Sequence, residues 1–220
     1  MKRFVTDRIP FIRDKCRGKR VLDVGCVNHT ADCIGQPGWL HGQIAAVADS
    51  VLGIDIEQEA VAELNRRGYH AIVADAENFD LRDRYPDGFE VIVAGEIIEQ
   101  LVNPGSFLQT LAKHLAPGGT IILTTPNAYG FLFFLEVLLL GHESLNDDHT
   151  MTFSKKNMAR FLEKCGFRIV DFLYVNEVGR NRLEWYAKFF YRPLWLLQCL
   201  ASLVRSGLSR GTIYVIAPKS

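Results

Sequence analysis

Residues Lys19–His29 read KRVLDVGCVNH. Arg20 to Val24 is a short aliphatic run around one acid, and it stops at Gly25. That is the pattern of a buried strand entering a sharp turn. An acidic residue at a strand end followed by a glycine turn is a common way to open a nucleotide pocket. Three more acids close expected strands: Asp55 in SVLGID, Asp75 after HAIVA, and Glu96 after FEVIVAG. Four such ends in order suggest one crevice along the edge of a parallel sheet.

Outward from that stretch, strands and helices alternate. A helix over Thr6–Cys16 leads into the strand Val21–Val24. The polar loop Asn28–Gly38 precedes a helix over Trp39–Ala48, then the strand Ser50–Asp55. Glu57–Arg67 has apolar residues at helical spacing, with Gly68 as its stop. Strands follow at His70–Ala74 and Phe89–Ala94. Pro104–Leu115 is a helix with proline in its first turn. Pro117-Gly118-Gly119 reads as a turn before the strand Thr120–Thr124. Ser154–Cys165 is a helix with Ser154 as cap and Gly166 as stop. Phe167–Val175 and Thr212–Ala217 are the last strands. This alternation predicts a parallel sheet covered by helices on both faces. The chain is read as one domain, 1–220, with an apolar and aromatic insertion at about 183–209 before the last strand.

The chain has 220 residues, enough for a sizeable α/β core, and a formal net charge of zero, so no global field favours nucleic acid. Its five cysteines are odd in number and lack a C-x-x-C pair, which argues against a disulfide framework or zinc site and fits a reducing cytoplasm. The first sixteen residues carry charges throughout and show no signal-peptide pattern. Phe131–Leu140, FLFFLEVLLL, is too short to span a bilayer, which takes about 20 apolar residues. Leu183–Val204 is long enough but holds Glu184, Lys188, Arg192 and Pro193. Its mixture of aromatic and basic residues is that of an interfacial segment, so peripheral membrane contact through 183–204 is an expectation, against a larger core or a dimer contact.

From about Arg20 to Ala217 the pattern resembles the class I S-adenosylmethionine-dependent methyltransferases, in their small-molecule branch of methyltransferase type 11 or ubiquinone-biosynthesis-like enzymes. The resemblance rests on VLDVGC, VLGIDI, VADAENF, FEVIVAGEIIEQLVNP, LAPGGTIILTTPN and HTMTFSKKNMARFLEKCGF, in that order and spacing. It implies a Rossmann-like sheet of seven strands, the last antiparallel, and S-adenosylmethionine as cofactor.

The resemblance also assigns residues. Gly25 lets the backbone turn close to the cofactor, and Asp23 lies near its amino-acid end. Asp55 accepts the ribose hydroxyls and Ile56 packs on the adenine. Asp75 with Ala76 reads the adenine edge. Ala94, Gly95 and Glu96 wall the methionine side. There are two departures. Val27 and His29 replace the second and third glycines of the family's turn, and a β-branched residue resists positive φ. The loop is therefore expected to be reshaped, with Asn28, His29 or Thr30 supplying contacts, or else to have lost binding. Gln100 stands where relatives carry a histidine, and an amide neither titrates nor ligates well, so no metal is expected.

Methyl transfer needs a base only for a hydroxyl or protonated-amine acceptor. His149 in NDDHTMTFS is the first candidate, with Asp147 and Asp148 beside it; the alternative is a histidine that caps the helix at Ser154. Glu99 and His142 are weaker candidates, and Tyr129 is a candidate for the acceptor pocket. The expected function is methyl transfer to a small, hydrophobic or lipid-linked acceptor. The alternative is a non-catalytic methyltransferase-like binding module with a degenerate cofactor loop. A nicotinamide-dependent oxidoreductase would need G-x-G-x-x-G after the first strand, which GCVNHT does not supply. The acceptor, the atom methylated and the oligomeric state stay open.

Overall fold

The computed structural model describes residues 4–27, 31–141, 143, 146–176 and 185–219, with backbone only for 31, 140 and 185–192. Eight strands form one sheet: β1 (Phe4–Val5), β2 (Arg20–Val24), β3 (Ser50–Asp55), β4 (Ala71–Val73), β5 (Phe89–Gly95), β6 (Leu115–Pro126), β7 (Phe167–Val175) and β8 (Gly211–Pro218). Their spatial order is β1-β7-β8-β6-β5-β2-β3-β4. β8 runs antiparallel to β6 and β7, and the remaining pairs are parallel. The mostly parallel sheet and its antiparallel last strand are as expected. The eighth strand is additional: Phe4 and Val5 add to the edge of β7, where Asn176 N–H donates to the Val5 carbonyl at 2.9 Å.

The helices are α1 (Arg8–Cys16), α2 (Leu40–Ala45), α3 (Gln58–Arg66), α4 (Pro104–Lys113), α5 (Phe131–Leu140), α6 (Lys155–Lys164) and α7 (Trp185–Val204). Local chemistry sets their ends. Asn103 caps α4 ahead of Pro104, and Ser154 and Asn157 close a capping box on α6. Gly68 and Gly166 both take φ of +86° just past α3 and α6, the left-handed stop that glycine adopts without a Cβ penalty. Pro117-Gly118-Gly119 differs from expectation. β6 runs through it, and the irregularity is absorbed as a register shift against β5 between Phe89 and Val91.

Both faces of the sheet are packed. Leu22, Ile54, Ile92, Phe107, Leu111, Ile121 and Tyr214 belong to one large cluster, and Ile12, Val21, Ile44, Val93, Ile122 and Val215 to a second. Chain order runs β2 to β3 to β4 in one direction, then crosses back to β5 and β6 in the other. The strand order therefore reverses between β2 and β5, and in open α/β sheets ligands bind outside the carboxyl ends at that point. Among the described residues no helix is long and apolar enough to cross a membrane.

Candidate active site

A cleft of about 390 Å³ opens at that reversal. It is lined from four strand ends: Gly25 and Val27 after β2, Asp55 to Glu57 after β3, Ala74 to Ala76 after β4, and Gly95 to Ile97 with Gln100 after β5. The sequence-predicted residues Gly25, Asp55, Ile56, Asp75, Ala76, Gly95 and Glu96 thus share one cavity. Asp23, Ala94, Glu99 and His149 are absent from its lining.

Gly25 needs to be glycine on two counts. Its φ is +75°, and a Cβ there would lie 2.3 Å from Ile97 Cδ1. Its N–H donates to the Ile54 carbonyl at 2.9 Å, so the turn is tied to the end of β3. Val27 settles the missing glycine differently. Among the described residues Glu96 alone of the non-glycines has positive φ, so Val27 stays in ordinary backbone space. Its side chain is buried with Cys26, Ile34, Trp39, Val61 and Leu64. Its N–H donates to Asp55 Oδ2 at 2.8 Å, and the Trp39 indole N–H donates to the Cys26 carbonyl at 2.9 Å. The turn is anchored outward into an apolar cluster. Asn28, His29 and Thr30 lie outside the described residues.

Asp55 is buried at the cleft floor. The Val27 N–H holds one oxygen and the Glu57 N–H, at 3.1 Å, the other. Burial raises its carboxyl above the ordinary range, while the backbone donors of Val27, Glu57 and Ile56 oppose the rise. Ile56 is 67% exposed and so is no core residue; it presents an apolar side chain to the cleft. Asp75 is exposed at the rim, and its carboxylate takes the Glu77 N–H at 2.9 Å.

Asp23 is engaged elsewhere. Its Oδ2 sits 2.9 Å from Nδ1 of the fully buried His41. That bond turns one carboxylate oxygen toward α2, and Asp23 does not line the cleft. The Cys26 thiol beside this pair is pushed far up by burial, then by the charges of Asp23 and Asp55, and is no nucleophile.

At the β5 end, Glu96 has φ +58°, a left-handed conformation that costs a non-glycine residue roughly 1–3 kcal/mol. Three contacts hold it there. Its N–H donates to the Thr124 carbonyl at 3.0 Å, and the Gln100 amide donates to its carbonyl at 2.7 Å. Arg8 Nη1 pairs with its Oε1 at 2.7 Å. Gln100 therefore has a positioning contact of its own. Arg8, the first residue of α1, is a cleft residue that sequence reasoning missed. The available signal was a lone arginine after the N-cap Asp7, too common to single out.

Glu99 and His149 meet beside this turn. Thr150 N–H and Met151 N–H both donate to the Glu99 carbonyl, and the Thr150 hydroxyl donates to the Leu101 carbonyl at 2.8 Å. These bonds fix the 149 loop against the cleft, which Asp148 also lines. His149 Nε2 lies 3.9 Å from Glu99 Oε1, within reach of charge but beyond a hydrogen bond. Glu99 is buried, and neither carboxylate oxygen has a well-formed hydrogen bond among the described residues. Burial first, and then the charge of Glu96, push its carboxyl up to about 8. Ser154 itself caps α6, its hydroxyl accepting the Asn157 N–H, so His149 is not the cap. Tyr129 is exposed, not core, and His142 lies outside the described residues. Among the described residues no cluster of three or more His, Cys, Asp or Glu side chains could hold a metal ion.

This fold and cleft define a Rossmann-like nucleoside-binding protein. Residues 1–171 match the family model of the methyltransferase domain, and the chain belongs to that family. S-adenosylmethionine is the cofactor that this membership brings. A probable S-adenosylmethionine-dependent methyltransferase of Mycolicibacterium smegmatis is 29% identical over 163 residues, covering 73% of this chain and 56% of that protein. A ubiquinone biosynthesis O-methyltransferase of Burkholderia pseudomallei is 28% identical over 169 residues, covering 70% of this chain and 66% of that protein. The aligned region thus spans less than two thirds of these relatives' length. An S-adenosylmethionine-dependent methyltransferase from Mesorhizobium loti superposes with a TM-score of 0.61 at 16% identity, over 95% of this chain and 96% of its own, and shows the same fold.

Proposed function

We propose that this chain transfers the methyl group of S-adenosylmethionine to a small, hydrophobic or lipid-linked acceptor. The observation that carries the reading is the convergence of Gly25, Asp55 and Asp75, from three separate strand ends, on one cleft at the sheet's reversal point. The chain is read as one methyltransferase domain, with 183–209 inserted before the last strand.

The donor set suits a sulfonium nucleoside. The Asp55 carboxylate, pinned by backbone N–H groups, keeps acceptor capacity for a ribose diol. Ile56 offers an apolar surface to a purine face, and Asp75 a carboxylate to its exocyclic amine. Arg8 holds Glu96 and Thr124 in place on the β5 side. When bound, the cofactor supplies a methyl group already attached to a good leaving group, so positioning contributes much of the rate. His149 would be the general base, taking the proton of an acceptor hydroxyl or protonated amine, while the bound cofactor would supply the methyl group. Glu99 lies 3.9 Å from His149 Nε2 and bears on it through charge.

A second groove of about 380 Å³ borders the sheet edge, lined by Asn127 and Ala128 after β6, Phe133, Phe134 and Val137 of α5, and Thr152. Its apolar wall suits a greasy acceptor. The relatives named for ubiquinone biosynthesis support an O-methylated acceptor of that character. The binding-module alternative drew on the altered turn, and the anchored Val27 and the Gln100 latch weaken that case.

Calorimetric titration with S-adenosylhomocysteine tests the reading. Tight binding that Asp55→Ala weakens is expected; equal affinity in wild type and variant would remove the proposal. With binding intact, loss of methyl transfer in His149→Ala but not in Tyr129→Phe identifies the base.

A further inference from the structure

α5 and α7 are built inside out. On α7, Gln198 and Ser202 are buried, while Leu196, Leu197, Leu200, Leu203 and Val204 are exposed. On α5, Glu136 is buried, while Phe134, Val137, Leu138 and Leu139 are exposed. A helix on an ordinary protein surface does the reverse. Gln198 and Ser202 have a structural job. Gln198 Oε1 accepts the Leu132 N–H at 2.9 Å and so caps the start of α5. Its Nε2 donates to Asn176 Oδ1, Ser202 Oγ and the Leu208 carbonyl. This joint fastens both helices to the end of β7 and the entry to β8. The apolar side chains it turns outward form a surface much greasier than isolated exposed leucines.

Charge selects what covers that surface. From Trp185 to Arg210 the charged residues are Lys188, Arg192, Arg205 and Arg210 and none is acidic; on the α5 side Glu136 is buried and Glu143, at the groove, is an exposed acid. Arg205 is exposed at the end of α7, and the Arg210 guanidinium stacks over Phe133 at 5.3 Å, joining a cation to the start of α5. α7 also carries Trp185, Tyr186, Phe189, Phe190, Tyr191 and Trp195, residue types that settle at a headgroup boundary. Apolar residues with basic and aromatic neighbours, in a helix that does not qualify as a span, are the makings of an in-plane interfacial anchor. We propose that α5 and α7 together dock the protein on an anionic bilayer surface, leucines in the acyl boundary and cations against the headgroups. The acceptor groove shares Phe133, Phe134 and Val137 with α5, so docking places its mouth beside the leaflet. The docking itself does not depend on the reaction assigned to the cleft.

Flotation of the full chain tests it, with vesicles of equal parts phosphatidylglycerol and phosphatidylcholine beside vesicles of phosphatidylcholine alone. The wild type is expected to float with the anionic vesicles and to bind the neutral ones weakly. Binding falls as salt contracts the screening length from ~30 Å at ~0.01 M to ~3 Å at ~1 M. The double variant Leu200→Glu, Leu203→Glu and the single variant Arg205→Glu both reduce flotation, with circular dichroism confirming that each is folded. Failure of the wild type to float with anionic vesicles at low salt overturns the proposal. So does equal, salt-insensitive flotation with both vesicle types. A dimer seen by sedimentation velocity without lipid, broken by the leucine variant and accompanied by no flotation, would assign the face to a second copy of the chain.

Discussion

The end of β3 and the turn after β5 each take a carboxylate out of water, and they leave it in different states. Asp55 is met by backbone donors from Val27 and Glu57, so its burial is answered by hydrogen bonds to the charged form. Glu99 is opposed by poorer contacts, its own backbone N–H and the Thr125 hydroxyl, and burial first, then the charge of Glu96, lifts its carboxyl to about 8. Burial raises both carboxyls, and the backbone donors around Asp55 hold its rise back. The first arrangement presents a fixed acceptor and suits binding. The second holds a proton near neutral pH beside His149 and suits acid–base work.

The largest effect is expected from breaking the first region. Asp55→Ala removes a charged acceptor and strands the Val27 N–H. Loss of hydrogen bonds to a charged group, at about 1.5–3 kcal/mol each, corresponds to roughly 10- to 100-fold weaker binding of S-adenosylhomocysteine. Calorimetry reads it directly, with a melting curve to show that the variant is folded. An unchanged dissociation constant would mean that the two carboxylates do not differ as argued.

Next comes the second region. With a folded pKa of about 8 against an ordinary 4.5, Glu99 binds more proton in the folded protein than in the unfolded chain between those values. Stability therefore falls as pH rises through that window, and the loss is complete above pH 8. Glu99→Gln stays neutral and escapes it. The variant is expected to match wild type near pH 4.5 and to exceed it above pH 8 by an amount on the order of a few kcal/mol. Urea titrations across the range measure this. Parallel pH profiles for the two proteins would show that Glu99 is ionised throughout.

The two regions differ also in how far the sequence disclosed them. Asp55 and Gly25 were legible because strand-end acids and glycine turns are local signals, carried by a few adjacent residues. β3 and β7 match their expected bounds for the same reason, as alternation and flanking breakers are read within one window. Arg8, the Glu99 and His149 approach, and the Asp23 and His41 pair join distant parts of the chain, and no spacing rule announces them. Asp23 shows the limit most plainly. Its position in the motif was read correctly, but one carboxylate oxygen is bonded to a histidine on α2 that only the packed fold brings near. The inward Gln198 was hidden likewise, because a polar residue in a greasy helix reads as its solvent side.

Gly25 joins the two regions, since the atom a substituted Cβ would strike belongs to Ile97 in the turn after β5. Gly25→Ala asks an L-residue for φ +75° and forces that contact. The two terms together are expected to destabilise by about 2–3 kcal/mol, or several degrees in melting temperature. If the turn after β5 is displaced as well, the same variant lowers the apparent pKa of Glu99 by letting water reach it. A melting temperature equal to wild type would mean that the β2 turn and the β5 turn are not in contact.

The smallest effect sharpens the β3 side. Trp39→Phe keeps an aromatic ring in the cluster around Val27 and deletes the N–H that donates to the Cys26 carbonyl. A buried carbonyl left unpaired costs about 1–3 kcal/mol, part of it relieved if the turn shifts toward solvent. The variant is therefore expected to weaken S-adenosylhomocysteine binding a few-fold while leaving the pH dependence attributed to Glu99 unchanged. That split separates anchoring of the β2 turn from the chemistry beside β5. A change in the pH profile with no change in affinity would place Trp39 on the wrong side of the comparison.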